Sequence, residues 1–325
     1  MKAAWYDDLG LARDVLQVGD RADPVAGPGE VLVRLRASGV NPSDVKSRGG
    51  AFGRARFLGR TIPHSDGAGD IVAVGPGVPA GRVGERVWVW NGQYQRAMGT
   101  AAELIALPAA MAVTLPDAVS YEAGACLGIP AMTAAQAVRL CQIEPGDQVL
   151  VSGGAGAVAH YAIQLAKLRG ARVLTTISGA AKAAHAMAAG ADATINYRTE
   201  NVAERVAALT AGQGLDAIVE MDLGANASQI GLLRAGGRMA IYGVTGAEVA
   251  IPGRASLQGA VSLNFLYVYE QKPTLRAAII RELSNLLAAG RLVHAVGARF
   301  PLAEIAAAHE AVEQASVIGN VVVTL

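Results

Sequence analysis

The sequence predicts an α/β protein of two domains, one β-rich and one built on a doubly wound parallel sheet. Three observations carry this reading. The chain has 325 residues, 52% of them hydrophobic, enough for two buried cores. Residues 1 to about 121 are punctuated by Gly and Pro and carry short strand-like runs at 30–36, 70–74 and 85–90. From 148 to about 268 the pattern changes to alternating strand and helix, with strands expected near 148–152, 172–177, 193–197, 215–221, 238–243 and 261–268. Such alternation implies parallel strands joined by helical crossovers. Residues 275–290 read as an amphipathic helix ending at Gly290, and 291–325 alternates strand-like and helix-like stretches that complete the first domain. The expected division is 1–121 with 269–325, and 122–268.

Charge and composition exclude several classes of function. Formal net charge is +1 and the basic residues are dispersed, so no footprint for nucleic acid or an acidic membrane surface is present. The opening MKAAWYDDLG lacks a basic start followed by an apolar stretch, and no apolar run long enough to cross a bilayer follows. A cytoplasmic location is expected, with small-molecule partners and neither nucleic acid nor membrane. Cys126 and Cys141 are too few for a disulfide framework and lack metal-ligand spacing; they read as small core residues.

The stretch after the first of the alternating strands holds the chemistry. Gly154, Ala155, Gly156, Ala157, Val158 and Ala159 match G-x-G-x-x-G/A between a strand and a helix. In this reading Gly154 allows the tight turn, Gly156 lets the backbone approach a diphosphate, and Ala159 permits close helix packing. The helix N-terminus offers unpaired N–H groups and a positive dipole end to the anion.

An acid is missing where a dinucleotide site specific for NAD would have one. Such sites place Asp or Glu about 20 residues past the glycines, on the ribose 2′-hydroxyl. No acid occurs between Asp147 and Asp192, and the expected position falls at 176–178, where Thr176 and Ser178 leave room for a 2′-phosphate. Lys182, Tyr197 and Arg198 follow as candidate donors. The cofactor expected is NADPH.

Seven segments in order, 39–44 (GVNPSD), 66–69 (DGAG), 84–87 (GERV), 127–134 (LGIPAMTA), the glycine turn, 195–198 (INYR) and 308–310 (AHE), resemble those of zeta-crystallin-like quinone oxidoreductases. These form a zinc-independent branch of the medium-chain dehydrogenase/reductase superfamily. The resemblance covers nearly the whole chain. It implies a GroES-like catalytic domain made from both chain ends, a Rossmann domain between them, and a cleft holding NADPH. A homodimer is common in that family, and the apolar 261–268 is the expected edge strand for it.

By the same resemblance, the positions where zinc alcohol dehydrogenases carry Cys and His hold Asn41 and Ser65, with His64 one place off. Amide and hydroxyl do not replace thiolate and imidazole at Zn²⁺, so no metal is expected. Without a Lewis acid, the easier acceptors are quinones and α,β-unsaturated carbonyls, in which the arriving electron density is delocalised.

The resemblance also implies the site residues. Asn41 and Thr133 match positions beside the nicotinamide. Lys46 and Phe52 stand where relatives often carry tyrosines, and His64 is a candidate substrate contact. Thr175, Met221, Tyr242, Gly243, Leu266 and Tyr267 lie at strand ends, where ligands sit in such sheets, and Asn320 replaces a frequent lysine. His309 reads as a helix-packing residue, and His160, His185 and His294 as structural or solvated. The function expected is NADPH-dependent, zinc-independent reduction of a quinone by hydride or electron transfer. The alternatives are reduction of the C=C bond of alkenals or enones, and a structural, sensory or RNA-binding role for an NADPH-binding protein.

Overall fold

The computed structural model describes residues 1–52 and 59–325. The chain forms two compact units, Met1–Ile129 with Ile280–Leu325, and Pro130–Ile279. The division falls later at both crossings than the 121/122 and 268/269 positions read from pattern. At the second crossing it lies inside one continuous helix, Pro273–Ala288, which hydrophobic patterning cannot apportion.

In the second unit six strands form one sheet, in the spatial order Ala193–Asn196, Arg172–Ile177, Gln148–Val151, Leu215–Glu220, Leu233–Ile241, Ser262–Phe265. Every neighbouring pair is parallel. This is the doubly wound order, whose direction of winding reverses between Gln148–Val151 and Leu215–Glu220. The central strands read as continuous apolar runs because a sheet covered on both faces needs no alternation. Leu150, Leu174, Ile195, Ile218, Met239 and Ile241 from five strands meet in one buried cluster. The fifth strand begins at Leu233 rather than at 238, since its pairing shifts register opposite Leu215 and Ala217 and so accommodates Gly236 and Gly237. The sixth is confined to Ser262–Phe265 at the sheet edge.

The first unit is a β structure in which the long strand Glu30–Val40 pairs antiparallel with Asp66–Val74, Leu104–Pro108 and Asn320–Thr324. The last of these also pairs in parallel with Val296–Pro301, so the final part of the chain completes this sheet. Alternate residues of the long strand, Val31, Val33 and Leu35, enter a core with Ile71, Val87, Val89, Ile105 and Leu107. A largely antiparallel β unit and a doubly wound parallel-sheet unit are therefore both present, in one α/β chain. No helix among the described residues is long and apolar enough to cross a membrane.

Candidate cofactor and active site

Strand Gln148–Val151 runs into the glycine turn, and helix Ala157–Leu168 leaves it. The left-handed residue is Gly153, with φ 68°, one place before the glycine to which the motif assigns the tight turn. Its N–H donates to Thr176 Oγ1 at 2.9 Å, and the Gly154 N–H donates to the Thr176 carbonyl at 2.9 Å. Gly154 is required for packing instead: a Cβ there would collide with the Thr175 side chain. Gly156 is exposed, and a Cβ on it would have only the Gly153 carbonyl nearby, at 3.3 Å. It caps the helix without a side-chain acceptor. The first N–H with a partner inside the helix is that of His160, which donates to the Gly156 carbonyl at 2.9 Å. The N–H groups of Ala157, Val158 and Ala159 therefore have no acceptor within the helix and suit an anion. Ala155 and Ala159 are buried, and Ala157 and Val158 half-buried.

The two threonines of the neighbouring strand face inward. Thr175 is fully buried and donates to the Val151 carbonyl at 2.6 Å, and Thr176, 5% exposed, braces the turn from below. They build the turn, a correction to their reading as ligand contacts at a strand end: the strand continues to Ile177, which is itself buried. The open positions follow it. Ser178 is half-buried, helix Ala180–Ala188 starts two residues later, and Lys182 lies in its first turn. Tyr197 is exposed and its N–H donates to the Ile177 carbonyl at 3.1 Å, which brings Tyr197 and Arg198 beside Ser178. The next acid in the chain, Asp192, is engaged by Lys167 at 2.8 Å and by the Val173 N–H at 2.7 Å.

A polar network unforeseen in the sequence lies where the sheet reverses direction. Ser152 Oγ donates to Glu220 Oε2 at 2.6 Å, while the Asp222 N–H and Asn226 Nδ2 donate to Glu220 Oε1 at 2.7 and 2.9 Å. Burial raises the Glu220 pKa, against the lowering effect of these three bonds. Met221, 45% exposed, follows directly, and its sulfur fills the place a Cβ on Gly153 would take. Gly243 is needed because a Cβ would strike the Met221 carbonyl, and Tyr242 beside it is half-buried. Leu266 donates its N–H to the Ile241 carbonyl at 3.0 Å, and exposed Tyr267 lies against Tyr269 with ring centroids 5.1 Å apart. A polar hollow of about 270 Å³ lined by Glu144, Asp147, Asp216, Arg234 and Arg238 sits at the opposite, amino-terminal ends of the strands, away from the glycine turn. Thr133 is buried near the start of helix Met132–Leu140 in this same unit.

In the first unit Asn41 caps the short helix Pro42–Arg48 and is 3% exposed. Its Nδ2 donates to Asp66 Oδ2 at 3.0 Å, and its backbone N–H to Asp44 Oδ2 at 2.7 Å. Asp66 Oδ2 also accepts from the Ile129 N–H at 2.9 Å, while Oδ1, facing Gly128, has no partner among the described residues. Burial pushes Asp44 up to about 7, and burial with the charge of Asp44 pushes Asp66 well above the carboxylate range. The Asn41 amide is thus held with its nitrogen toward buried acid.

His64 is fully buried, with one ring nitrogen 2.8 Å from Ser38 Oγ and the other 2.9 Å from His309 Nε2. Its reading as a substrate contact is therefore corrected: no ring nitrogen is left for a ligand. Lys46 and Phe52 are exposed, the latter 41%, and neither has a described polar partner that would aim it. Asn320 is buried and its Nδ2 donates to the Ala295 carbonyl at 3.0 Å, so its amide serves the backbone of its own unit. His160 is buried, its ring centroid 4.9 Å from that of half-buried His185. Both thiols are buried and raised, Cys141 to about 12. No group of three or more His, Cys, Asp or Glu side chains suited to a metal ion occurs among the described residues.

A GroES-like unit and a doubly wound sheet with this turn define a medium-chain dehydrogenase/reductase. Residues 27–117 match the family of alcohol dehydrogenase GroES-like domains, and 157–285 the family described as zinc-binding dehydrogenase. The quinone oxidoreductase of Pseudomonas aeruginosa is 32% identical over 309 residues, 91% of each chain. Among solved structures, a mycobacterial protein complexed with NADPH matches with a TM-score of 0.88 at 30% identity, each chain fully covered. One described as an NAD-dependent alcohol dehydrogenase matches with a TM-score of 0.90 at 31% identity, again over the whole of both chains. The chain belongs to the quinone oxidoreductase family of that superfamily.

Proposed function

We propose that this protein is an NADPH-dependent quinone oxidoreductase that works without zinc. The observation that carries the cofactor is the strand end at Ile177: no carboxylate stands there, and Ser178, Lys182 and Tyr197 do. Relatives of either nicotinamide cofactor share the scaffold, so this local chemistry decides. The glycine turn fits the diphosphate because Gly156 is open and the helix behind it begins with unpaired N–H groups. Ala155, Gly156, Ala157 and Val158 would hold the diphosphate, with Gly154 packing the turn behind them on Thr175, and Ser178, Lys182, Tyr197 and Arg198 the 2′-phosphate. Met221, Tyr242, Gly243, Leu266 and Tyr267 border the remainder, and Thr133 is assigned to the nicotinamide end.

NADPH supplies hydride, and with one proton from solvent a quinone becomes the hydroquinone. The chain's own part is to bind and orient. Asn41 is the first-unit residue we assign to ribose or acceptor. The positions that would ligate zinc offer an amide already bonded to Asp66 and a serine, and His64 is turned to His309. This set does not fit Zn²⁺. A homodimer through the edge strand Ser262–Phe265 is supported by exposed Leu257, Phe265 and Tyr267 around it. A cytoplasmic location is part of the same proposal.

The test is turnover. Purified protein with NADPH and 9,10-phenanthrenequinone should consume NADPH, at a rate that a metal chelator leaves unchanged. Tight NADPH binding with no quinone turnover would overturn the reading, and turnover confined to an enone would move it to the C=C reductases.

A further inference from the structure

We propose that Glu220 is a positioning residue of the cofactor site, holding the glycine turn and the Met221 turn at a fixed separation through Ser152; this rests on the NADPH-binding reading above. Three donors converge on the Glu220 carboxylate: the Ser152 hydroxyl on one oxygen, the Asp222 N–H and the Asn226 amide on the other. An acceptor-only group satisfies all three, whereas a carboxamide would turn an NH₂ toward one set of donors. Ser152 belongs to the first strand's exit and Glu220 ends the fourth, so their 2.6 Å bond crosses the place where the sheet reverses direction. That is where a dinucleotide lies in such sheets.

The bond acts on both walls of this place. On one side it fixes Ser152, next to left-handed Gly153, whose N–H must reach Thr176. On the other it fixes the residue before Met221, whose sulfur packs on Gly153. Asp222 extends the brace, accepting from the Gly224 and Thr245 N–H groups at 3.1 and 2.7 Å and from the Thr245 hydroxyl at 2.7 Å. A negative charge buried under a diphosphate site disfavours the ligand by simple electrostatics. Glu220 therefore serves the site by geometry, and its charge is a cost.

The experiment is a fluorescence titration of NADPH and of NADH with the parent, Ser152→Ala, Glu220→Gln and the double variant, with thermal midpoints recorded alongside. A lost charge-assisted hydrogen bond gives roughly tenfold weaker binding. Each single variant should weaken both cofactors by about that factor and leave their ratio unchanged. The double variant should lose less than the sum of the two single losses, because both substitutions act on one connected network. In turnover, KM for NADPH should rise while kcat at saturating NADPH stays near that of the parent. Unchanged or tighter NADPH binding by Glu220→Gln would overturn the proposal, since relief of repulsion would then be its only effect. Should that variant fail to fold, Ser152→Ala decides: unchanged cofactor affinity refutes the brace. A parent without NADPH preference defeats the functional reading alone, because the effect on NADH is still measured.

Discussion

The rings of His64 and His309, 245 positions apart in the chain, share a hydrogen bond of 2.9 Å between their Nε2 atoms. Its direction follows from the neighbours. Arg48 Nε can only donate, and it lies 3.3 Å from His309 Nδ1, so a neutral His309 keeps its proton on Nε2 and gives that bond to His64. His64 then carries its proton on Nδ1 and donates to Ser38, which donates to Thr100 at 2.8 Å, which donates to the Asp66 carbonyl at 2.6 Å. One oriented chain thus joins the C-terminal helix Ile305–Glu313 to the acid that orients Asn41.

Acid should break this chain. Burial lowers His64 to about 3, and burial together with the His64 and Arg48 charges lowers His309 well below 6.5. Below pH 6.5 the unfolded chain binds these protons and the folded one does not, so stability present above that pH is lost as pH falls. Asp44, raised to about 7, and Asp66 act in the opposite sense as pH falls from 7 toward 4, because the folded chain holds their protons. His309→Gln isolates one histidine: its carbonyl accepts from Arg48, its NH₂ donates to His64, and it does not titrate. Urea unfolding at pH 7.5, 6 and 5 should show the variant gaining on the parent by up to about 1.4 kcal/mol per pH unit below 6.5. Parallel profiles would refute neutral burial of His309.

For the 2′-phosphate, Lys182→Ala should weaken NADPH about ten- to a hundredfold and leave NADH nearly unchanged. Ser178→Asp should reverse the preference, since a carboxylate repels phosphate and accepts from the ribose hydroxyl. Ser178 is the site for it because Ile177 is only 4% exposed and would bury the new charge. Dissociation constants for both cofactors decide, and equal losses in Lys182→Ala would make that lysine structural.

The two motif glycines should separate cleanly. Gly156→Val meets one tight contact in the protein, its Cβ 3.3 Å from the Gly153 carbonyl, so it should fold with a midpoint only slightly below the parent's yet lose NADPH and NADH alike. Gly154→Ala collides with Thr175 and should lower the midpoint, at a cost of about 1–3 kcal/mol. The reverse pattern would mean that the diphosphate is held elsewhere.

Light scattering should give a dimer mass. Phe265, 63% exposed on the edge strand, is the position to disturb. Phe265→Asp should yield monomer with intact NADPH binding, and a parent that is monomeric at every concentration would remove the proposed interface.

What the sequence shows plainly is what repeats locally. The sheet of the second unit is legible because its strands are buried on both faces and its helices carry long Ala and Leu runs. Thr175 is not legible as a packing residue because the strand runs two residues past it to Ile177, and a hydroxyl in a fully buried strand looks in sequence like one at an open end. Glu220 was invisible for another reason: an acid closing an apolar strand has many uses, and the convergence of Ser152, Asp222 and Asn226 on it exists only in three dimensions. Helix packing, the role the sequence suggests for His309, describes its burial but not its partner His64.

Strand Asn320–Thr324 fills the space between Val296–Pro301 and residues 37–40 of the long strand Glu30–Val40, pairing Val321 with Val40 and Thr324 with Ala37. During synthesis that partner emerges only after the whole of Pro130–Ile279. At about 5–20 residues per second the ribosome leaves the backbone at Ala37–Val40 an open, pairing-competent edge for roughly ten seconds or more, next to Asn41. The nascent chain is therefore most vulnerable to wrong association along Ala37–Val40, immediately before the residue proposed for the acceptor.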